Sequence, residues 1–220
     1  MKNKNMLMVG VVSAVCLTAP FIATAQQHEK LSINKNNIKV WTIQDPQKPS
    51  MSYRAETTFN VSLEQAVALV LDVENAIKWM PYVAKAEILS RNDQQGEFTL
   101  YMVLDFPFPL KDRDLIVKGT IKKQANGVVR IHNQAITSNQ VAINPNYIRL
   151  KHYEGDWVFE KLTNDKVKVS NAGYADPEGA IPISVSNLFV QQQPYQMLQK
   201  MKLELAKPAR TNPVLPAILK

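Results

Sequence analysis

The sequence predicts an α+β domain in which a curved antiparallel sheet wraps around a long C-terminal helix. Three observations predict it. From Val83 to Ala175 apolar residues recur with period two between turn-forming clusters. A capped helix and a short second helix precede that meander, and a long helical pattern follows Pro182.

The early part of the chain is read first. Lys2 and Lys4, the apolar run Met6 to Ile22 and the small-x-small site Ala23-Thr24-Ala25 form an export signal, with cleavage leaving Gln26 as the mature N-terminus. Gly10 and Pro20 interrupt the 17-residue apolar run, which argues against a retained membrane anchor. The expected localisation is periplasmic or secreted. Residues 26–39 are polar and read as a flexible leader. The folded domain is expected over 40–207, with 208–220 as a C-terminal tail.

Val40 to Ile43 and Tyr53 to Phe59 read as short strands around the turn-rich Asp45-Pro46-Gln47-Lys48-Pro49-Ser50. Ser62-Leu63-Glu64-Gln65 is a capping box opening a helix that ends near Asp72. A second helix, Glu74 to Trp79, is stopped by Pro81. Turns in the meander are placed at Asn92 to Gly96, Asn126-Gly127, Glu154-Gly155-Asp156 and Asn164-Asp165. In one strand Phe98, Leu100, Met102 and Leu104 share a face, and Tyr101 and Val103 share the other. A sheet apolar on both sides suggests that one side is covered by helices and the other lines something apolar. The terminal helix runs to about Ala206, and its apolar face shifts at Pro194, which predicts a kink there.

Composition narrows the chemistry. Without its first 25 residues the chain has 195, enough for one domain with a sizeable core. It then carries 24 basic against 19 acidic residues, a net charge of +5 with no block of like charge, so no dedicated nucleic-acid surface is expected. Mild basicity is compatible with transient contact at a membrane surface. The sole cysteine, Cys16, falls inside the signal, which excludes disulfides and a thiol nucleophile from the mature chain. His28, His132 and His152 show no metal-ligand spacing, and no phosphate loop, nucleophile elbow or zinc-protease helix is present. No catalytic residue, metal or cofactor is expected.

Several motifs carry a resemblance. Asp72-x-x-Asn75-x-x-x-Trp79-x-Pro81 is similar to the segment after the first long helix of START domains, the lipid-transfer family of the Bet v 1-like, helix-grip superfamily. Pro107 to Asp114 resembles that family's Pro-x-Pro and Arg-Asp signature, and Asp176 to Pro182 its approach to the C-terminal helix. The resemblance implies a deep apolar cavity between sheet and terminal helix, a lipid or sterol-like ligand and no cofactor; with the export signal the chain reads as an exported member, and it is expected to be a monomer. The chain departs at Gly119, six positions after Arg113, where cholesterol-binding members carry a buried basic residue. That departure weakens the expectation of a sterol.

Candidate ligand contacts are Trp79, Met80, Met102, Leu104, Arg113, Val185, Leu188 and Phe189. Trp79, Met80 and Tyr82 fit either a cavity mouth or ordinary core. Arg113 fits either a ligand contact or a structural anchor, and Asp112 and Asp114, one residue apart on a strand, point to opposite sides and make a poor shared acid–base pair. The expected function is binding, and in one version transfer, of an apolar molecule without catalysis. The alternatives are a polyketide cyclase or aromatase, as in related helix-grip enzymes, and a periplasmic accessory module that holds another protein.

Overall fold

The computed structural model describes residues 27–208 and 215–220. The export signal and its cleavage site lie outside the described residues. Within them ten strands form one sheet: β1 (His28–Lys35), β2 (Ile38–Gln44), β3 (Ser52–Phe59), β4 (Val83–Asn92), β5 (Glu97–Leu104), β6 (Arg113–Lys123), β7 (Val129–Ala135), β8 (Ile148–Arg149), β9 (Tyr153–Thr163) and β10 (Lys166–Ala175). Their order is β1-β2-β3-β10-β9-β7-β6-β5-β4, all antiparallel, with the short β8 added parallel to the start of β6.

The leader expected at 26–39 is instead a hairpin strand. β1 pairs with β2 through a turn in which Asn36 and Asn37 both adopt positive φ, the geometry of a tight hairpin that asparagine tolerates. Because β1 is an edge strand exposed along most of its length, it carries too few apolar residues to announce itself. The turn expected at Glu154-Gly155-Asp156 is also strand: all three residues lie inside β9, paired with both β10 and β7.

Helix α1 (Leu63–Leu71) is capped as expected, with Gln65 N donating to Ser62 Oγ at 3.2 Å and Ser62 N to Gln65 Oε1 at 3.0 Å. Asp72 then starts a 3-10 turn, Val73–Lys78, and its carboxylate accepts from Asn75 Nδ2 at 2.9 Å. The C-terminal helix has three parts: α2 (Ile183–Asn187), a π-helical turn (Leu188–Gln192) and α3 (Gln193–Leu205). Pro194 sits at the start of α3, where it lacks the amide that would continue the α ladder and its ring would crowd the preceding turn. The wider π turn just before it absorbs that conflict, so the irregularity falls at 188–192.

Met197, Leu198 and Met201 of α3 share one core with α1 and with Trp157 and Phe159 of β9. The opposite face of β5 is also covered. Tyr101 and Val103 join Ile116 in a second cluster under Ile136, Val141 and Tyr147 of the β7–β8 connection. That connection explains why the second face of β5 is also apolar.

Beyond α3 the chain comes back to the fold. Leu219 is buried in the main core, and Ile218 N donates to Asp93 O at 3.2 Å. Gly96 has a positive φ, and a side chain there would meet Ile218, so glycine satisfies both the turn and the close approach. Residues 215–220 therefore cap one end of the sheet.

Candidate ligand cavity between the sheet and the C-terminal helix

Alternation along β5 sends Phe98, Leu100, Met102 and Leu104 to the concave face. The first two fill the core, and the last two border a cavity of about 130 Å³. Leu115 and Leu150 extend its sheet wall, Met80 closes one side, and Phe189 and Val190 of the π turn cover it. The wall is largely hydrocarbon, as in small-molecule sites generally.

Phe189 is the key of the cover. Its ring stacks on Phe106 with centroids 4.4 Å apart and an interplanar angle of 20°, and it meets Tyr82 at 5.4 Å. Phe106 belongs to the β5–β6 loop, which closes on itself through Phe106 N donating to Asp112 Oδ1 at 3.0 Å. Arg113, 2% exposed, holds a second loop to the first. Its Nε donates to Pro177 O at 3.2 Å, Nη2 to Glu178 O at 3.3 Å and Nη1 to Lys111 O, while the guanidinium lies 4.2 Å above the Phe106 ring. Burial pulls the guanidinium below its ordinary pKa, partly offset by Asp112.

Two tyrosines, Tyr53 and Tyr153, belong to the polar part of the wall, with Ser50, Tyr174, Ser186 and Gln193. Tyr53 Oη donates to Asn171 Oδ1 at 2.7 Å, and Asn171 Nδ2 donates to Asp156 O at 3.0 Å. The Tyr153 hydroxyl carries no hydrogen bond among the described residues and lies where a Cβ on Gly155 would come within 2.5 Å of it. Gly155 faces Gly173 across β9 and β10, and a Cβ on Gly173 would meet the Tyr53 ring at 2.7 Å. The paired glycines make room for both rings. Burial holds both phenols protonated: Tyr153 is pushed up to about 12, helped by Asp156, and Tyr53 higher still, helped by Tyr153.

Of the candidate contacts, Met80, Met102, Leu104 and Phe189 line the cavity, whereas Trp79, Arg113, Val185 and Leu188 do not. Trp79 is fully buried core, edge-on to Trp157 at 6.0 Å, and its Nε1 is a sealed donor without a partner among the described residues. Val185 and Leu188 sit on the same helix as Phe189 at angles that miss the cavity. Arg113 is turned away by its carbonyl partners. The residues that sequence reasoning missed are Tyr53, Phe106 and Tyr153. Glycines isolated within strands at 155 and 173 were the available signal for the two tyrosines.

Gly119 also has a local reason. The Phe98 ring lies over it so closely that a Cβ would come within 2.1 Å of the ring, and no basic side chain fits at that position. No group of metal-ligating side chains occurs among the described residues.

Comparison with known proteins agrees with this architecture. The START domain family model matches residues 25–208. An uncharacterized protein of Pseudomonas aeruginosa is 24% identical over 173 residues, 79% of this chain and 84% of that one. Human StAR-related lipid transfer protein 7, mitochondrial, is 27% identical over 135 residues, 60% of this chain and 36% of that relative's length. The crystal structure of a STAR-related lipid transfer protein fragment from Xanthomonas axonopodis superposes with a TM-score of 0.73 at 24% identity, covering 81% of this chain and 99% of the fragment. With the matched model spanning all the sheet and the C-terminal helix, the chain belongs to the START domain family.

Proposed function

We propose that this chain is an exported carrier that encloses one lipid-like apolar molecule between the sheet and the C-terminal helix, and that it binds without catalysing a reaction. The observation that carries the reading is the cavity wall: aliphatic and methionine side chains of the sheet on one side, and Phe189 on an irregular helical turn on the other. At about 130 Å³ the cavity is smaller than the roughly 300–1,000 Å³ of typical small-molecule sites. A lipid is therefore admitted by outward movement of 183–192, which the π turn allows and which parts Phe189 from the Phe106 ring held in the β5–β6 loop.

A carrier is favoured over a cyclase because a cyclase needs a proton donor or acceptor on the wall. Among the described lining residues the titratable groups are tyrosines, and burial makes Tyr53 and Tyr153 weaker acids than usual. Contact with a membrane surface is supported by Phe108, 96% exposed on the same loop as Phe106.

The test is displacement of an uncharged solvatochromic dye such as Nile red from the folded protein. Wild type should bind it, Phe189→Gln should bind at least about 10-fold more weakly, and Leu203→Gln, on the exposed side of α3, should bind as wild type. Equal binding by all three proteins, or by none, would overturn the reading.

A further inference from the structure

We infer that the cavity selects an uncharged molecule, a long apolar body bearing one hydroxyl or carbonyl group, and discriminates against the anionic or cationic counterpart of the same body. This inference rests on the apolar-carrier reading and narrows its ligand class.

The first support is the charge of the wall. None of the described residues lining the cavity is acidic, basic or histidine. The cation beside it, Arg113, is not available to a head group: three backbone carbonyls take its donors and the Phe106 ring takes its face. At Gly119 the Phe98 ring closes the space in which a deeper cation would sit. An ionised carboxylate or ammonium brought inside would lose water without gaining a partner.

The second support is what the wall offers in place of charge. Tyr153 lines the cavity, and its hydroxyl, beside Gly155, makes no hydrogen bond among the described residues and can donate or accept. Tyr53 gives its proton to Asn171 and presents only acceptor capacity, and the Gln193 amide makes one long contact, to Met197 Sδ at 3.8 Å. With the hydroxyls of Ser50 and Ser186, the first of which donates to Ala175 O, these groups are all neutral and suit a hydroxyl or carbonyl. They cannot neutralise a charge. Burial raises the Tyr153 pKa to about 12, so the hydroxyl stays a neutral donor throughout the physiological range.

The test compares dodecanol, dodecanoate, dodecylamine and dodecane as competitors for Nile red, below their aggregation limits. Dodecanol should displace the dye at least about 100-fold more effectively than dodecanoate at about pH 8, and the gap should shrink on acidification to about pH 4.5, where the carboxyl gains its proton. Dodecylamine should compete as poorly as dodecanoate at the higher pH. Tyr153→Phe, checked by its melting curve, should weaken dodecanol by about 3- to 10-fold and leave dodecane unchanged. Dodecanoate as tight as dodecanol at about pH 8 would place the head group in water and overturn this inference while leaving the apolar carrier intact. Failure of every competitor, dodecane included, would overturn both.

Discussion

The guanidinium of Arg113 lies 4.2 Å above the ring of Phe106, and the same ring is stacked on Phe189 of the C-terminal helix. One buried cation thus links the β5–β6 loop, the 176–182 segment and the cover of the cavity. Its donors all end on backbone carbonyls, so its work is positional. Arg113→Ala should leave three part-buried carbonyl acceptors without their donor and lower stability by about 1–3 kcal/mol, read as a shift of the denaturation midpoint. A variant that melts like wild type and yet loses ligand would make Arg113 a head-group contact instead.

Gly119 and Phe98 share one volume. Gly119→Ala puts a methyl into the ring, which cannot yield without disturbing the core around Leu100, and should destabilise by about 1–3 kcal/mol. The double variant with Phe98→Leu should recover part of that loss, measured by a double-mutant cycle. Additive losses would show that the two sites do not share space.

Alkaline pH tests the buried phenols. Tyr153 and Tyr101 are both pushed up to about 12 from 10, Tyr101 by burial and then by its 3.0 Å bond to Asp114, and Tyr53 is raised further. A raised folded pKa favours the neutral form, so this stabilisation is complete below about pH 10 and is lost as pH climbs through about 12. Spectrophotometric titration of the seven tyrosines should show a late group that ionises together with unfolding. A single transition near pH 10 for all of them would contradict the burial described here.

Much of this architecture was legible in the chain. Ser62 and Gln65 announce α1, Pro182 and Pro208 bracket the C-terminal helix, and period two marks the long strands between Val83 and Ala175, because these signals are local and each satisfies backbone groups in its own neighbourhood. What was illegible depends on partners far away. β1 exists because β2 supplies its hydrogen bonds. Gly155 looks like a turn residue until Tyr153 and Gly173 occupy the space around it. Alternation separates Asp114 from Asp112 but does not show that Asp114 is 1% exposed and bonded to Arg149 at 2.8 and 2.9 Å, a partner 35 residues on that no spacing rule finds. Trp79 was ambiguous between core and cavity mouth for the same reason: its position is set by Trp157.

Export is tested on the protein made by its own host. Mature chains should begin at Gln26 and be recovered without detergent from the periplasm or medium, as intact mass and N-terminal sequencing would show. Full-length chain retained in the membrane fraction would contradict it.

The central claim, one apolar molecule enclosed between the sheet and the C-terminal helix, is tested most directly by native mass spectrometry of protein isolated from its own cells under gentle conditions. The account predicts a complex of one chain with one ligand, whose mass falls to that of the bare chain on organic extraction, with a neutral lipid-like compound in the extract. A bare chain before extraction, from cells in which the protein is abundant and folded, would contradict it.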